Sequence, residues 1–310
     1  MTAAELKKEY DELKKLASND MKSPVVAQKL STMGRRVISF LANDCHRIEL
    51  KSLVPGKQYF AFSKTRAGKK LSRSVNAYLF DPDASENMAK LEDGTLERLS
   101  ADVRSKLLYT VAASIFATID LLKERDQKTP ATSFEILCGH LLGRAFHVNG
   151  RTQIEVLHLE EERGTLPTDF IFDLGPRKPK FHVPVKTSTR ERAIQVFAHQ
   201  RVLDGVHGMG RFTGLLVAFA ETKLDHKRRE VVEICLPRQW QLYHAHIAQM
   251  ARFYYFDVPA KYAALADGEP PMAVKEFAEF FDEYPELART SKSRASPSRL
   301  ALRLPKDEEI

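Results

Sequence analysis

Asp169 opens a short apolar run, DFIFDL, and Lys186 closes another, KFHVPVK, with GPRKP between them. Read as an antiparallel hairpin turning at Pro176 to Pro179, the two runs set Asp173 against His182 and Asp169 against Lys186. Opposed residues in such a ladder hold their Cβ atoms about 4.5 to 5.5 Å apart. A carboxylate and an ammonium at the end of a buried run suit metal-assisted hydrolysis of a phosphodiester. The substrate is an anion attacked by water, so the reaction needs a divalent ion to offset charge, an acid to hold it and a cation near the nucleophile. Asp169 and Lys186 supply the last two. Asp173 lies four strand residues further on, about 13 Å away at the usual rise, too far to share one ion. The plainer alternative is a surface ion pair, in a chain with 29% charged residues.

The surrounding residues sharpen the comparison. Pro167-Thr168-Asp169 precedes Pro184-Val185-Lys186, and KTSTRER runs on from Lys186, with Gln195 shortly after. This set resembles the PD-(D/E)XK nucleases, and within them the type II restriction endonucleases, with one residue inserted in the first element and a KTS-x-RER stretch after the lysine. The resemblance covers roughly residues 133 to 260. It implies Mg²⁺ held by Asp169 and by the main-chain carbonyl of Val185, with Lys186 against the attacking water. It further implies double-stranded DNA as substrate, a homodimer, and a cognate DNA methyltransferase in the same system.

Pro184 departs from the pattern, because it offers no carboxylate. Relatives in which a helix supplies the missing acid direct attention to Glu135, in SFEILCGHLLGRAF, and to Glu191, with Glu155 a third option. Glu135 is preferred, since a lone glutamate among core-packing residues wants a reason. An exposed position, or a charge favoured by the helix dipole, is the alternative.

These residues need elements to carry them. From Ser133, taken as a helix cap, the chain reads as helix (SFEILCGHLLGRAF), three strands (RTQIEVLHL, TDFIFDL, KFHVPVK), helix (RERAIQVFAHQRVL) and buried strand (FTGLLVAFA). The fold class expected is α/β (α+β), an αβββαβ restriction-endonuclease-like core with a mixed central sheet flanked by helices. EVVEICL adds a strand, and the stretch from Pro237 to Phe256 is expected to be one long helix. Before the core, helices are expected over about 3–17, 25–48 and 100–125, the last with one apolar face at 103, 107, 111, 115, 119 and 122. The division expected is a mainly helical region with a basic hairpin over 1–125, a linker over 126–132, the core over 133–288, and a basic, disordered tail over 289–310.

A formal charge of +7 and a pI near 9.2 favour a polyanionic partner. Lys64, Arg66, Lys69, Lys70 and Arg73 crowd the connection between QYFAFS and VNAYLF, as a DNA-recognition loop would. Arg190 and Arg192 are placed to meet phosphate. Cys45, Cys138 and Cys235 are too scattered for a disulfide framework or a paired zinc site. With no signal peptide and no run approaching membrane length, a cytoplasmic protein is expected. His244 and His246 point to different helix faces, His182 and His199 lie near the site, Trp240 reads as core, and GVHGMG reads as a turn. Two other functions fit the same residues: a DNA-binding protein that kept the fold without catalysis, and a repair or junction-resolving nuclease.

Overall fold

The computed structural model describes residues 1–123, 126–159 and 162–289. Helices α1 (Ala3–Asn19) and α3 (Met88–Asp93) pack on α2 (Pro24–Asp44), which in turn packs on α4 (Ala101–Leu122), whose first turn is capped where Ser100 Oγ accepts the Val103 N–H at 3.4 Å. The expected single apolar face of α4 is corrected: almost everything from Arg104 to Leu121 is buried. A helix that is buried all round has neighbours all round. By length and composition alone α4 is long and apolar enough to cross a membrane, which corrects the expectation that no run approaches that length; here most of it is enclosed as a core helix.

Helix α2 stops at Asp44, short of the expected 48, because the next residues pair as a strand. Strands β1 (His46–Ser52), β2 (Tyr59–Ser63) and β3 (Val75–Asn76) form an antiparallel ladder, from His46 opposite Ser63 to Leu50 opposite Tyr59.

The core then runs α5 (Lys128–Phe146), β4 (Arg151–Leu159), β5 (Glu162–Asp173), β6 (Lys180–Val183), β7 (Val185–Lys186), α6 (Ala193–His207) and β8 (Phe212–Ala218). This is the expected αβββαβ order. Helix α5 begins before Ser133, correcting the linker over 126–132. Asp126 accepts the Thr129 N–H and hydroxyl at 2.9 and 2.6 Å, and Pro130 sits in the first turn, where its missing N–H is no loss. Ser133 is buried inside the helix and caps nothing.

Strands β9 (Thr222–Asp225) and β10 (Glu230–Glu233) follow, then α7 (Pro237–His246), β11 (Arg252–Tyr255), α8 (Ala260–Ala263), β12 (Val274–Glu276) and α9 (Phe280–Leu287). The expected long helix is therefore a short helix plus a strand: the aromatic run RFYY pairs parallel with β8, Arg252 opposite Leu215. The main sheet has the order β12-β11-β8-β6-β5-β4, with β7 also on β8, and mixes antiparallel β4-β5-β6 with parallel β6-β8-β11-β12. A smaller sheet, β3-β2-β1-β10-β9, joins the N-terminal strands to the core through the parallel β1-β10 pair. One buried core runs from Leu6 through α4 and α5 to Phe281, crossing residues 126–132 without a break.

Candidate active site

Asp169 sits where the β5-β6 ladder gives out. That ladder pairs Phe170 with Val183 and Asp173 with Lys180, so the expected register, with Asp173 against His182, is off by two residues. The chain turns more tightly than Pro176 to Pro179 would require. The Leu174 N–H donates to Pro179 O, the Lys178 N–H donates to Gly175 O, and Gly175 and Arg177 take positive φ values of 117° and 61°. Carried one step further, the ladder would bring Asp169 to Pro184, which has no N–H to offer. The pairing of Asp169 with Lys186 nonetheless survives. Asp169 Oδ2 accepts the Val185 N–H at 2.8 Å and the Lys186 ammonium at 2.6 Å, each side chain about one-fifth exposed. The carboxylate thus replaces a main-chain acceptor at the ladder's end. Since N–H and C=O of one extended residue point the same way, the Val185 carbonyl faces Asp169 too, while Pro184 O and Lys186 O accept from Val217 and Phe219 on the other side.

Glu135 reaches this point because α5 lies very close to β5. Glu135, Gly139 and Gly143 are four residues apart, so they share one face of the helix. A Cβ on Gly139 would overlap the Phe170 ring, and one on Gly143 would touch Val148 O and, more loosely, Phe172. Four helical residues advance about 6 Å and two strand residues about 6.6 Å. The steps match: Gly143 meets Phe172, Gly139 meets Phe170, and Glu135 arrives one step on, at the level of Thr168, close enough to feel the charge of the neighbouring Asp169. Its carboxyl is pushed up to about 7, mainly by burial and also by the negative charge of Asp169, against the opposing pull of Lys186.

A cavity of about 230 Å³ opens over Asp169 and Lys186, lined also by Pro167, Thr168, Pro184, Gln195, Val196 and His199; Glu135 is not among the residues that line it. The architecture around it has a counterpart among solved structures. The chain is similar to the type IIP restriction endonuclease Kpn2I, with a TM-score of 0.74 at 23% identity over 91% of this chain and 97% of that one. It has the restriction-endonuclease fold. A second likeness, to the restriction endonuclease PspGI in complex with substrate DNA, has 14% identity, covers 65% of this chain and 79% of that one, and has a TM-score of 0.38, too low to compare folds. No family model and no curated protein matches the sequence.

Within the restriction-endonuclease fold the segment after Lys186 is held by a residue that sequence reasoning missed. Glu221 is fully buried and accepts the Ser188 hydroxyl at 2.8 Å, the Thr189 N–H at 2.9 Å, the Thr189 hydroxyl at 2.5 Å and the Tyr255 hydroxyl at 3.0 Å. The signal was an acid ending the apolar run FTGLLVAFA. Arg190 is part-buried, takes a φ of 34° and donates to Thr222 O at 3.0 Å, so its guanidinium is engaged inside the chain; Arg192 is exposed. Glu155 lies on β4 opposite Thr165. The Glu191 side chain and the tail from residue 290 lie outside the described residues.

His182 is buried, its Nδ1 3.0 Å from Gln200 Oε1, and burial pulls it down to about 4. His199, half-buried at the cavity wall, is lowered by burial and by Lys186. His244 is buried, His246 is exposed, and Trp240 packs on Phe253 and Tyr262, as expected. Of GVHGMG, Gly208 and Gly210 make the turn with φ of 96° and 76°, while Gly205 is still helical. The basic loop divides. Lys64, Arg66 and Lys69 are exposed, whereas Lys70 donates to Leu121 O at 3.3 Å and Arg73 grips Asp120 with two bonds of 2.9 Å while lying 4.5 Å over the Phe116 ring.

Among the described residues no group of three or more His, Cys, Asp or Glu side chains forms a metal site. The donor set to be considered is therefore two carboxylates and a carbonyl.

Proposed function

We propose that this chain is a cytoplasmic, Mg²⁺-dependent endonuclease of the type II restriction class, cutting both strands of duplex DNA at a specific sequence as a homodimer. One observation carries the reading: Asp169, Lys186 and the Val185 main chain converge beside a partly buried acid, Glu135, within the restriction-endonuclease fold. The donors fit a hard cation. All are oxygens, as Mg²⁺ prefers, and a bound cation would relieve the charge of Asp169 that helps push the Glu135 carboxyl up. Both hydrogen bonds to Asp169 use Oδ2, which leaves Oδ1 for the ion.

In this reading Asp169, Glu135 and the Val185 carbonyl hold Mg²⁺, and Glu135 takes the place of the carboxylate absent at Pro184. The cation supplies Lewis acidity toward the scissile phosphate. Lys186, aimed by its contact with Asp169, orients the attacking water and offsets negative charge as it builds on the phosphoryl oxygens. Glu221 fixes the main chain of 188–190 and so the position of Lys186 itself. Lys64, Arg66, Lys69 and Arg192 meet the DNA backbone, with Lys70, Arg73 and Arg190 supporting that surface from within. A methyltransferase acting on the same sequence would protect the host genome.

The test is incubation of the purified protein with plasmid and Mg²⁺, with the fragment ends sequenced. Discrete fragments with one common end sequence are expected, and none in EDTA. Intact, retarded DNA would instead indicate a binding protein without catalysis, and products only from branched DNA a junction nuclease.

A further inference from the structure

Two basic segments 160 residues apart meet in the smaller sheet. Strands β2 and β9 both run opposite to the adjacent β1 and β10, so the loops that follow them leave the sheet at the same end. The first is 64–74. The second is the β9-β10 turn, His226-Lys227-Arg228-Arg229, which the sequence reading did not single out. Arg229 stitches them together. It takes a left-handed φ of 55°, its guanidinium donates to Ala67 O at 2.8 Å, and it lies against Gly68, whose own φ is 64°.

Both loops are held in shape by their own hydrogen bonds. Asp225 Oδ1 accepts the N–H groups of Lys227 and Arg228 at 2.9 and 3.0 Å, the Gly68 N–H donates to Thr65 O at 2.9 Å, and the Lys69 N–H donates to Thr65 Oγ1 at 3.3 Å. Backbone hydrogen bonds from Arg228 and Lys227 hold the Asp225 carboxyl below its usual range, the two side-chain charges adding to the effect. That acid is therefore spent chiefly on main chain. Among the described residues Lys64, Arg66, Lys69, Lys227 and Arg228 form no ion pair, and all five are exposed.

We infer that the 64–70 loop and the 226–229 turn form one composite surface that binds the phosphate backbone of duplex DNA through Lys64, Arg66, Lys69, Lys227 and Arg228. Five cations on two braced loops exceed what a single phosphate needs and match a repeating polyanion. The position favours a duplex that also reaches the candidate site. Strand β9 starts at Thr222, next to Glu221 and under the Arg190 guanidinium, and ends three residues on at Asp225. The basic turn thus stands roughly 10 Å, three strand steps, from the segment that carries Lys186. Contacts of this kind set where the duplex lies and carry no base information directly.

This inference rests on the nuclease reading, and binding in EDTA separates the two. Fluorescence anisotropy of a labelled duplex containing the cleaved sequence is measured across a salt series for wild type, for Lys227→Glu/Arg228→Glu, and for Lys14→Glu/Lys15→Glu, whose exposed lysines lie on α1. Loss of two phosphate contacts is expected to weaken binding about tenfold or more and to reduce the slope of log K against log salt by about two. The α1 variant carries the same charge change and is expected to bind nearly as wild type does. Wild-type affinity in the turn variant, or an equal loss in the α1 variant, would overturn the composite surface and leave the nuclease reading standing. Wild type that does not bind the duplex at all would overturn both.

Discussion

Lys186 and Glu135 make different predictions although they sit beside the same aspartate. In the proposed mechanism Lys186 acts on charge that develops during the reaction, so Lys186→Ala is expected to lower the cleavage rate at least about 10² to 10³-fold while duplex binding in EDTA is unchanged. A variant that still cuts at the wild-type rate would remove the lysine from the mechanism. In the same proposal Glu135 holds the cation, so Glu135→Gln is expected to shift the Mg²⁺ concentration needed for half-maximal cleavage upward and to shrink the rise in Tm expected of the wild type in Mg²⁺. An unaltered Mg²⁺ titration would send the missing ligand elsewhere, with Glu191 and Glu155 the next to change. The contact between the lysine and the aspartate was legible in the sequence because one opens an apolar run and the other closes the next, with turn residues between. Glu221 was not, because its role lies entirely in what it accepts from residues 188, 189 and 255, partners that only the folded chain brings together.

The strands and helices carry the next level of argument. The order αβββαβ could be read from periodicity, but the register of β5 on β6 could not, since a turn one residue tighter at each end shifts the pairing by two and leaves the same faces in contact. Likewise α7 and β11 were fused in the reading because an aromatic-rich run fits either a buried helix or a strand, and β8 decides the matter by pairing with it. The glycines of α5 belong here as well. Gly139→Ala forces a Cβ into the Phe170 ring, an overpacking expected to cost about 1 to 3 kcal/mol. It also lifts the helix that delivers Glu135, so Mg²⁺ affinity should fall together with stability. If stability falls and the Mg²⁺ titration does not move, the close approach serves packing alone.

Elements also set the acid limit. His140 on α5 has its Nδ1 2.8 Å from Met21 O, and burial, the larger cause, pulls it down to about 4; His182 on β6 is lowered equally far. Between the ordinary value of 6.5 and 4, the unfolded chain binds more protons than the folded one, so stability rises with pH across that window. It is complete above about 6.5 and lost as the pH falls to 4, by up to roughly 3 kcal/mol for each group. His140→Gln should unfold less steeply with acid than the wild type in denaturant melts at pH 4.5 and 7. Identical pH slopes would show that His140 does not titrate on unfolding.

At the scale of the whole molecule the proposed function asks how one site per chain would cut two strands. Helix α6 has three faces. Val196, Phe197 and Leu203 enter the core, while Gln195 and His199 line the cavity. The third face is apolar and exposed: Ile194 at 39%, Val202 at 38%, Val206 at 47% and, just past the helix, Met209 at 75%, with Ala198 in the same row. These side chains offer a few hundred Å² of apolar surface, within the range of patches that mark interfaces. A stable dimer needs about 800 Å² from each copy, a little over half of it apolar, so the stripe would form most of an interface centre and its polar neighbours the rim. The row also suits a twofold axis. Two antiparallel α6 helices crossing near Val202 would set each Ala198 opposite a Val206 and each Ile194 opposite Met209 and Gly210, large against small. A homodimer is therefore expected in sedimentation at micromolar concentration. Val202→Glu/Val206→Glu, changes on an already exposed face, is expected to leave the thermal melt intact, give a monomer and turn double-strand cutting into nicking. A wild type that sediments as a monomer both free and on DNA, or a double variant that stays dimeric, would rule out this face. In the first case the two strands would have to be cut in turn by a single site.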